Sequence, residues 1–186
     1  MKKDLIIIAA DSSAQAMLAE LIHRFPRVLG VKDFSSIVYV HPWRDPGCYT
    51  KGVNMLDQYA QEYQHCILIF DHEGCGAEHK SPSEIEAELE KQLTNGLWPN
   101  RNAVIVIEPE QENWVWTNSL HTARALAWED LIALNGWLTE RKWLLPDDAK
   151  PKRPKEAMEA AMKKKLKENI SANTFATIAA KASFKS

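Results

Sequence analysis

Apolar positions alternate between strand-like runs and helix-like spacing from residue 5 to residue 107. Leu5–Ala10 is an unbroken aliphatic run, as expected of a strand buried on both faces. Asp11-Ser12-Ser13 ends it, and Asp11 is a helix cap by type. The helix predicted over Ala14–Phe25 puts Met17, Leu18, Leu21, Ile22 and Phe25 on one side, with Pro26 as its stop. Ser36–Val40 predicts a second strand, and His41-Pro-Trp-Arg-Asp-Pro-Gly47 a loop. A helix over about Gly52–Tyr63 follows, burying Met55, Leu56, Tyr59 and Tyr63. His65–Phe70 predicts a third strand that stops on Asp71 and Glu73 and breaks at Gly74 and Gly76. Ser81-Pro82-Ser83-Glu84 is a capping box with proline at the first helical position. Ile85, Leu89 and Leu93 continue that helix to Gly96, and Ala103–Ile107 predicts a fourth strand.

Four buried strands alternating with helices predict an α/β fold, a parallel, right-handed, Rossmann-like sheet of about four strands flanked by helices. The rest reads as helical: His121–Trp128, Glu129–Trp137, a helix opening at Pro154 with Met158, Met162 and Leu166 on one face, and Ser171–Phe184. This divides the chain into an α/β region, 1–118, and a helical C-terminal region, 119–186, packed on it or extending from it. The sequence ends soon after Phe184, as a shortened C-terminus would.

The formal charge of −2 conceals an asymmetry. Lys150–Lys167 holds eight basic and two acidic residues, a local +6, which leaves −8 for the remainder. A basic segment on an acidic body predicts an acidic or polyanionic partner, with Lys152, Arg153 and Lys155 as nucleic-acid backbone contacts. An acidic groove on a partner protein would serve equally well. Cys48, Cys66 and Cys75 form no CxxC pair and give no disulfide framework. The start, Met1-Lys2-Lys3 before Leu5–Ile8, imitates a signal peptide, but its apolar stretch ends at Asp11 without a cleavage-like site. No apolar run approaches membrane-spanning length, so a cytoplasmic protein without membrane contact is expected.

In an open parallel sheet, ligands bind outside the carboxyl ends of the strands. Strand one ends at Asp11, strand three at Asp71 and Glu73, and strand four at Glu108 and Glu110; strand two ends at His41, just ahead of Arg44 and Asp45. Five carboxylates from three strands thus converge on one edge, where they are costly unless a cation sits among them. Oxygen ligands point to Mg²⁺ or Mn²⁺, with Asp11, Asp71, Glu73 and Glu110 as the ligand set and Glu112 as an alternative to Glu110. Polar loops and helix caps explain any single acid equally well; the joint pattern is what points to a metal.

His72, Cys75 and His79, with Cys48 or His41, form a poorer zinc pattern. Cys48 and Cys75 are weak nucleophile candidates, since Cys75 follows two acids that raise its pKa. Trp114, Trp116, Trp128, Trp137 and Trp143 fit packing better than base stacking. Trp43, beside Arg44, is the exception and a candidate for substrate contact.

The acid layout resembles the TOPRIM fold of topoisomerases, primases and nucleases, which carries an acid after strand one and an Asp-x-Asp pair after strand three. Here Asp11-Ser12 stands where Glu-Gly is usual, and Asp71-His72-Glu73 is Asp-x-Glu. Over nearly the whole chain, His41-Pro-Trp-Arg-Asp-Pro-Gly-Cys48, Phe70-Asp-His-Glu-Gly-Cys-Gly76, Ile107-Glu-Pro-Glu-Gln-Glu-Asn-Trp-Val-Trp116 and Pro151-Lys-Arg-Pro-Lys-Glu156 are similar to small TOPRIM-like proteins of bacterial anti-phage defence, of the methylation-associated kind. The resemblance implies a Mg/Mn-dependent nuclease or phosphodiesterase in defence against phage. Asp71 and Glu73 would hold the metal, Asp11 would ligate or act as general base, and Arg44 would neutralise a phosphate oxygen in two-metal phosphodiester hydrolysis. The alternative is a non-catalytic subunit that keeps the fold and binds the other defence-system subunits. A receiver-like phosphoacceptor role for Asp71 ranks last, because no lysine follows the fourth strand closely.

Overall fold

The computed structural model describes residues 2–30, 32–117 and 119–181. Strands β1 (Lys3–Ala9), β2 (Ser36–Val40), β3 (Tyr63–Asp71) and β4 (Asn102–Ile107) form an all-parallel sheet in the order β2-β1-β3-β4. Helices α1 (Ser12–Leu29), α2 (Arg44–Asp57) and α3 (Pro82–Asn95) are the crossovers. The chain leaves β1 towards β2 and leaves β3 towards β4, so the strand order reverses between β1 and β3. Their carboxyl ends carry Asp11 and Asp71, and a crevice opens there because adjacent connections run to opposite sides.

Side chains alternate across the sheet. Ile6, Ile8, Leu68, Phe70, Val104 and Val106 pack beneath Leu56 of α2 and Ile85 and Leu89 of α3. Ile7, Ala9, Ile69 and Ile107 pack on the opposite face with Ala14 of α1. Each fully buried aliphatic side chain here contributes about 1.5–3 kcal/mol. Gly52 lets α2 lie close on β3, since a Cβ there would stand 2.8 Å from the Leu68 methyl carbons.

The remaining helices are α4 (Glu112–Val115), α5 (Leu120–Ala125), α6 (Leu131–Glu140), α7 (Pro154–Leu166) and α8 (Ala172–Ala179). Their core of Trp116, Leu126, Trp128, Leu134, Leu138, Met158, Met162, Phe175 and Ile178 is closed by Met17 of α1, with Leu18 and Leu21 against it. One helix, α1, therefore serves both the sheet and the helical region. Among the described residues no helix is long and apolar enough to cross a membrane.

Several expected boundaries shift. Pro26 does not stop α1, which runs on to Leu29 and ends at Gly30 in the left-handed region (φ 62°). The 41–47 stretch is only half loop: α2 begins at Arg44, because Pro46 falls in the first turn, where a missing N–H costs nothing. That helix ends at Asp57, and Tyr63 opens β3 instead of closing a helix. Leu166, expected on the buried face of α7, is 45% exposed in its last turn, which Lys167 closes in the left-handed region. Phe184 and the side chain of Phe25 lie outside the described residues.

Candidate functional site

At the β1/β3 switch point a cavity of about 620 Å³ opens between the carboxyl ends of the strands and the helical region. Asp11, Asp45, Asp71, Glu73, Glu110, Glu112, Glu156 and Glu159 line it, against two cations, Arg44 and Lys155. Ile170 and Phe175 add an apolar wall. A larger cavity of about 870 Å³ between α1 and β2 gathers no such charge, having Asp33 alone against His23 and Arg27. Charge, and not volume, singles out the smaller cavity.

Each acid arrives by a local rule. Asp11 caps α1, its Oδ1 accepting the Ser13 and Ala14 N–H groups at 2.9 and 2.8 Å. Asp71 is the last residue of β3, and its N–H donates to Asp45 Oδ1 at 2.8 Å. The β3–β4 pairing runs on past the strands: His72 N–H donates to Ile107 O and Glu73 N–H to Pro109 O, both at 2.9 Å. That brings Glu73 beside the turn into Glu110 and Glu112. Both of those are buried, Glu112 at 3% exposure, whereas Glu73 is exposed at the rim.

Burial and crowding shift these acids upward. Burial, then the neighbouring Asp45, Glu112, Asp11 and Glu110, pushes Asp71 up to about 9. Glu112 rises to about 7, from burial and from Glu110. Burial also raises Asp45 and Glu110. The Lys155 N–H donates to Glu110 Oε1 at 3.1 Å, and its ammonium stands 3.9 Å from Glu110 Oε2. Burial works against that ammonium, but Glu112, Glu110 and Asp71 outweigh it and raise its pKa. Gln111 lines the same cavity at 4% exposure, and its Oε1 is buried with no hydrogen-bond partner.

The donors are oxygens throughout, one of them an unpartnered amide carbonyl, and negative charge far exceeds positive. That chemistry suits a hard divalent cation. Among the described residues, however, no three His, Cys, Asp or Glu side chains are already grouped to hold a metal ion; the acids ring the cavity rather than meeting at one point.

Of the residues singled out in the sequence, Asp11, Asp71, Glu73, Glu110 and Arg44 all line this cavity, as does Glu112. Glu108, expected at the same edge, is exposed and absent from its lining. Lys152, Arg153 and Lys155, expected as nucleic-acid contacts, are all exposed, but Arg153 pairs with Glu156 and Lys155 has its backbone N–H and its ammonium on Glu110. His72 Nε2 is 2.8 Å from Lys80 O, and His79 is exposed. The three cysteines are buried and free; burial pushes Cys66 up to about 12 and raises Cys48 and Cys75 too. Trp116 and Trp128 are core, while Trp114 is 43% exposed and Trp43 65%.

Gln111, Glu156 and Glu159 line the cavity without having been singled out in the sequence, and Asp45, placed after strand two, was given no part in the site. Asp45-Pro46 reads as a loop dipeptide, and only proline's tolerance in a first helical turn would have put Asp45 on a helix pointing at the strand ends. Nothing in the sequence distinguishes Gln111 from a solvated loop residue.

No family model, curated protein or solved structure matches the chain.

Proposed function

We propose that this cavity binds Mg²⁺ or Mn²⁺ and that the chain is a TOPRIM-like nuclease or phosphodiesterase acting on nucleic acid in bacterial defence against phage. The observation that carries this reading is the convergence of eight acidic side chains, with half-buried Asp71 among them, on one cavity that holds only two cationic ones. A carboxyl held at about 9 by burial and by surrounding acids marks a cavity short of positive charge. Asp71 and Glu73, with Asp11 through the oxygen that does not cap α1, are the residues to hold the ion, and Glu110 or the Gln111 carbonyl completes the set. A bound ion there would neutralise charge on a phosphodiester and acidify a water molecule.

The chain's own groups do the rest. Glu112, near 7, exchanges a proton at neutral pH and is suited to general acid–base work. Arg44 lines the cavity and offers a planar fork to a phosphate oxygen. Lys155 keeps Glu110 turned towards α7.

The test is incubation with supercoiled, single-stranded and duplex DNA and with RNA, in Mg²⁺ or Mn²⁺, alongside Glu73→Ala and Asp71→Ala. We expect cation-dependent cleavage that falls at least about 100-fold in either variant, the scale of a lost catalytic group. Absence of cleavage of every substrate contradicts the enzymatic reading.

A second reading, a non-catalytic subunit of a defence complex, is favoured by one observation: Asp11 Oδ1 is already committed to two backbone amides and Glu110 to Lys155. Exposed Trp114 and Ile132, the latter at 86%, would then belong to an interface. Its signature is co-purification of another subunit with no cleavage by either component.

A further inference from the structure

Trp43 and Arg44 are consecutive, yet they line different cavities. Arg44 lines the acidic one, while Trp43 lines a second, of about 380 Å³, with Lys51, Asn54, Met55 and Gln58 of α2 and its end. Those four residues stand at i, i+3, i+4 and i+7 and so share one helix face.

An indole that is 65% exposed contributes little to the core, yet its backbone is tightly fixed. The Trp43 N–H donates to Nδ1 of buried His41 at 3.2 Å, and the Arg44 N–H donates to His41 O at 3.1 Å. Burial lowers the His41 pKa and keeps the ring neutral, which leaves Nδ1 free to accept. The Gly47 N–H donates to Trp43 O at 3.1 Å. A Cβ on Gly47 would stand 2.2 Å from His41 Nδ1 and 2.7 Å from Trp43 Cβ, so only glycine permits this packing. Arg44 itself holds φ 50°, a left-handed conformation that a non-glycine residue rarely adopts. The turn is over-determined, and what it presents is an exposed indole on one cavity and, at the next residue, an arginine on the acidic one.

From this juxtaposition we infer that Trp43 is a stacking platform for an unpaired nucleobase, whose neighbouring phosphate reaches Arg44 and the acidic cavity. The inference rests on the phosphodiester reading above and deepens it by specifying single-stranded substrate, because a base inside a duplex has no free face. Every base has a π-face, so the platform itself is tolerant of sequence. Asn54, Gln58 and Lys51 offer the base edge two amides and an ammonium.

The test is anisotropy of a fluorescein-labelled ten-nucleotide thymidine strand with the full chain in Ca²⁺, which supports binding without requiring turnover. Trp43→Ala is expected to weaken binding about 5- to 100-fold, and Trp43→Phe to stay within about 3-fold of wild type. An abasic strand of the same length is expected to bind the wild type with a comparable loss and to show no further loss with Trp43→Ala. The same sequence as a blunt duplex is expected to bind at least about 10-fold more weakly. If Trp43→Ala matches wild type on the thymidine strand, or weakens the abasic strand just as much, the stacking inference is overturned and the indole is left for a protein partner. If the wild type binds no oligonucleotide of any kind, the phosphodiester reading itself fails, and the inference with it.

Discussion

Glu86 and Glu90 reach from α3 to the outer edge of β4 and accept the Val106 and Val104 N–H groups at 2.9 and 3.1 Å, whereas Asp71, at the end of neighbouring β3, has Asp45, Glu112, Asp11 and Glu110 around it. Nearby on the same flank, Glu84 closes the capping box on Ser81, and Glu78 accepts the Gly74 and Gly76 amides. Backbone donors hold Glu84 and Glu78 below the usual carboxylate range; burial and like charge hold Asp71 and Glu112 above it. The acids on the β4 flank seal a sheet edge that would otherwise present free amides to another chain. In the cavity Asp11, Asp45 and Glu110 also accept backbone N–H groups, but among the described residues no such bond offsets the burial and crowding of the Asp71 carboxyl, and the structure bears that cost. Carboxylates spread along an edge and given donors are structural, whereas a buried carboxyl crowded by other acids awaits a ligand.

That contrast predicts opposite signs for removing an acid from the two regions. Removing both edge acids, Glu86→Ala with Glu90→Ala, leaves two strand amides without acceptors and should cost about 2–4 kcal/mol in urea unfolding. A loss below about 0.5 kcal/mol would break the comparison. In the cavity, Asp71→Asn should stabilise the metal-free protein at pH 8 by about 1 kcal/mol, a modest figure because Asp71 is partly exposed.

The pH dependence follows from the same shift. Folding raises the Asp71 pKa from 3.8 to about 9, so the folded state binds the extra proton. Stability must therefore fall as pH rises through that window, and a saturating divalent cation should flatten the fall. Melting temperatures from pH 5 to 9 check it: wild type should decline more steeply than Asp71→Asn, and parallel curves would contradict the shift. The smallest effect belongs to the exposed flank. Glu84→Gln should move the melting temperature by no more than about 2 °C.

The sheet was legible because both-face burial writes continuous apolar runs such as Leu5–Ala10 and Cys66–Phe70, bounded by caps and glycines. The convergence of Asp11, Asp71 and Glu73 followed from parallel topology alone. The start of α2 was not legible, because Asp45-Pro46 suits both a loop and a first helical turn, and tertiary packing of Gly47 on His41 decides between them. Nor was the position of Lys155. Its composition says basic segment, but only the docking of α7 across the cavity puts it on Glu110. Charge along a chain reports what a partner would see only after the fold has chosen which charges to spend internally.

The central claim is that the cavity acids are held for a cation, and isothermal titration of the metal-free chain with Mn²⁺ tests it most directly. Saturable binding with a dissociation constant below about 1 mM is expected, weakened at least about 10-fold by Asp71→Asn and left unchanged by Glu86→Ala with Glu90→Ala. Absence of saturable binding, or equal binding by the Asp71→Asn variant, would contradict it.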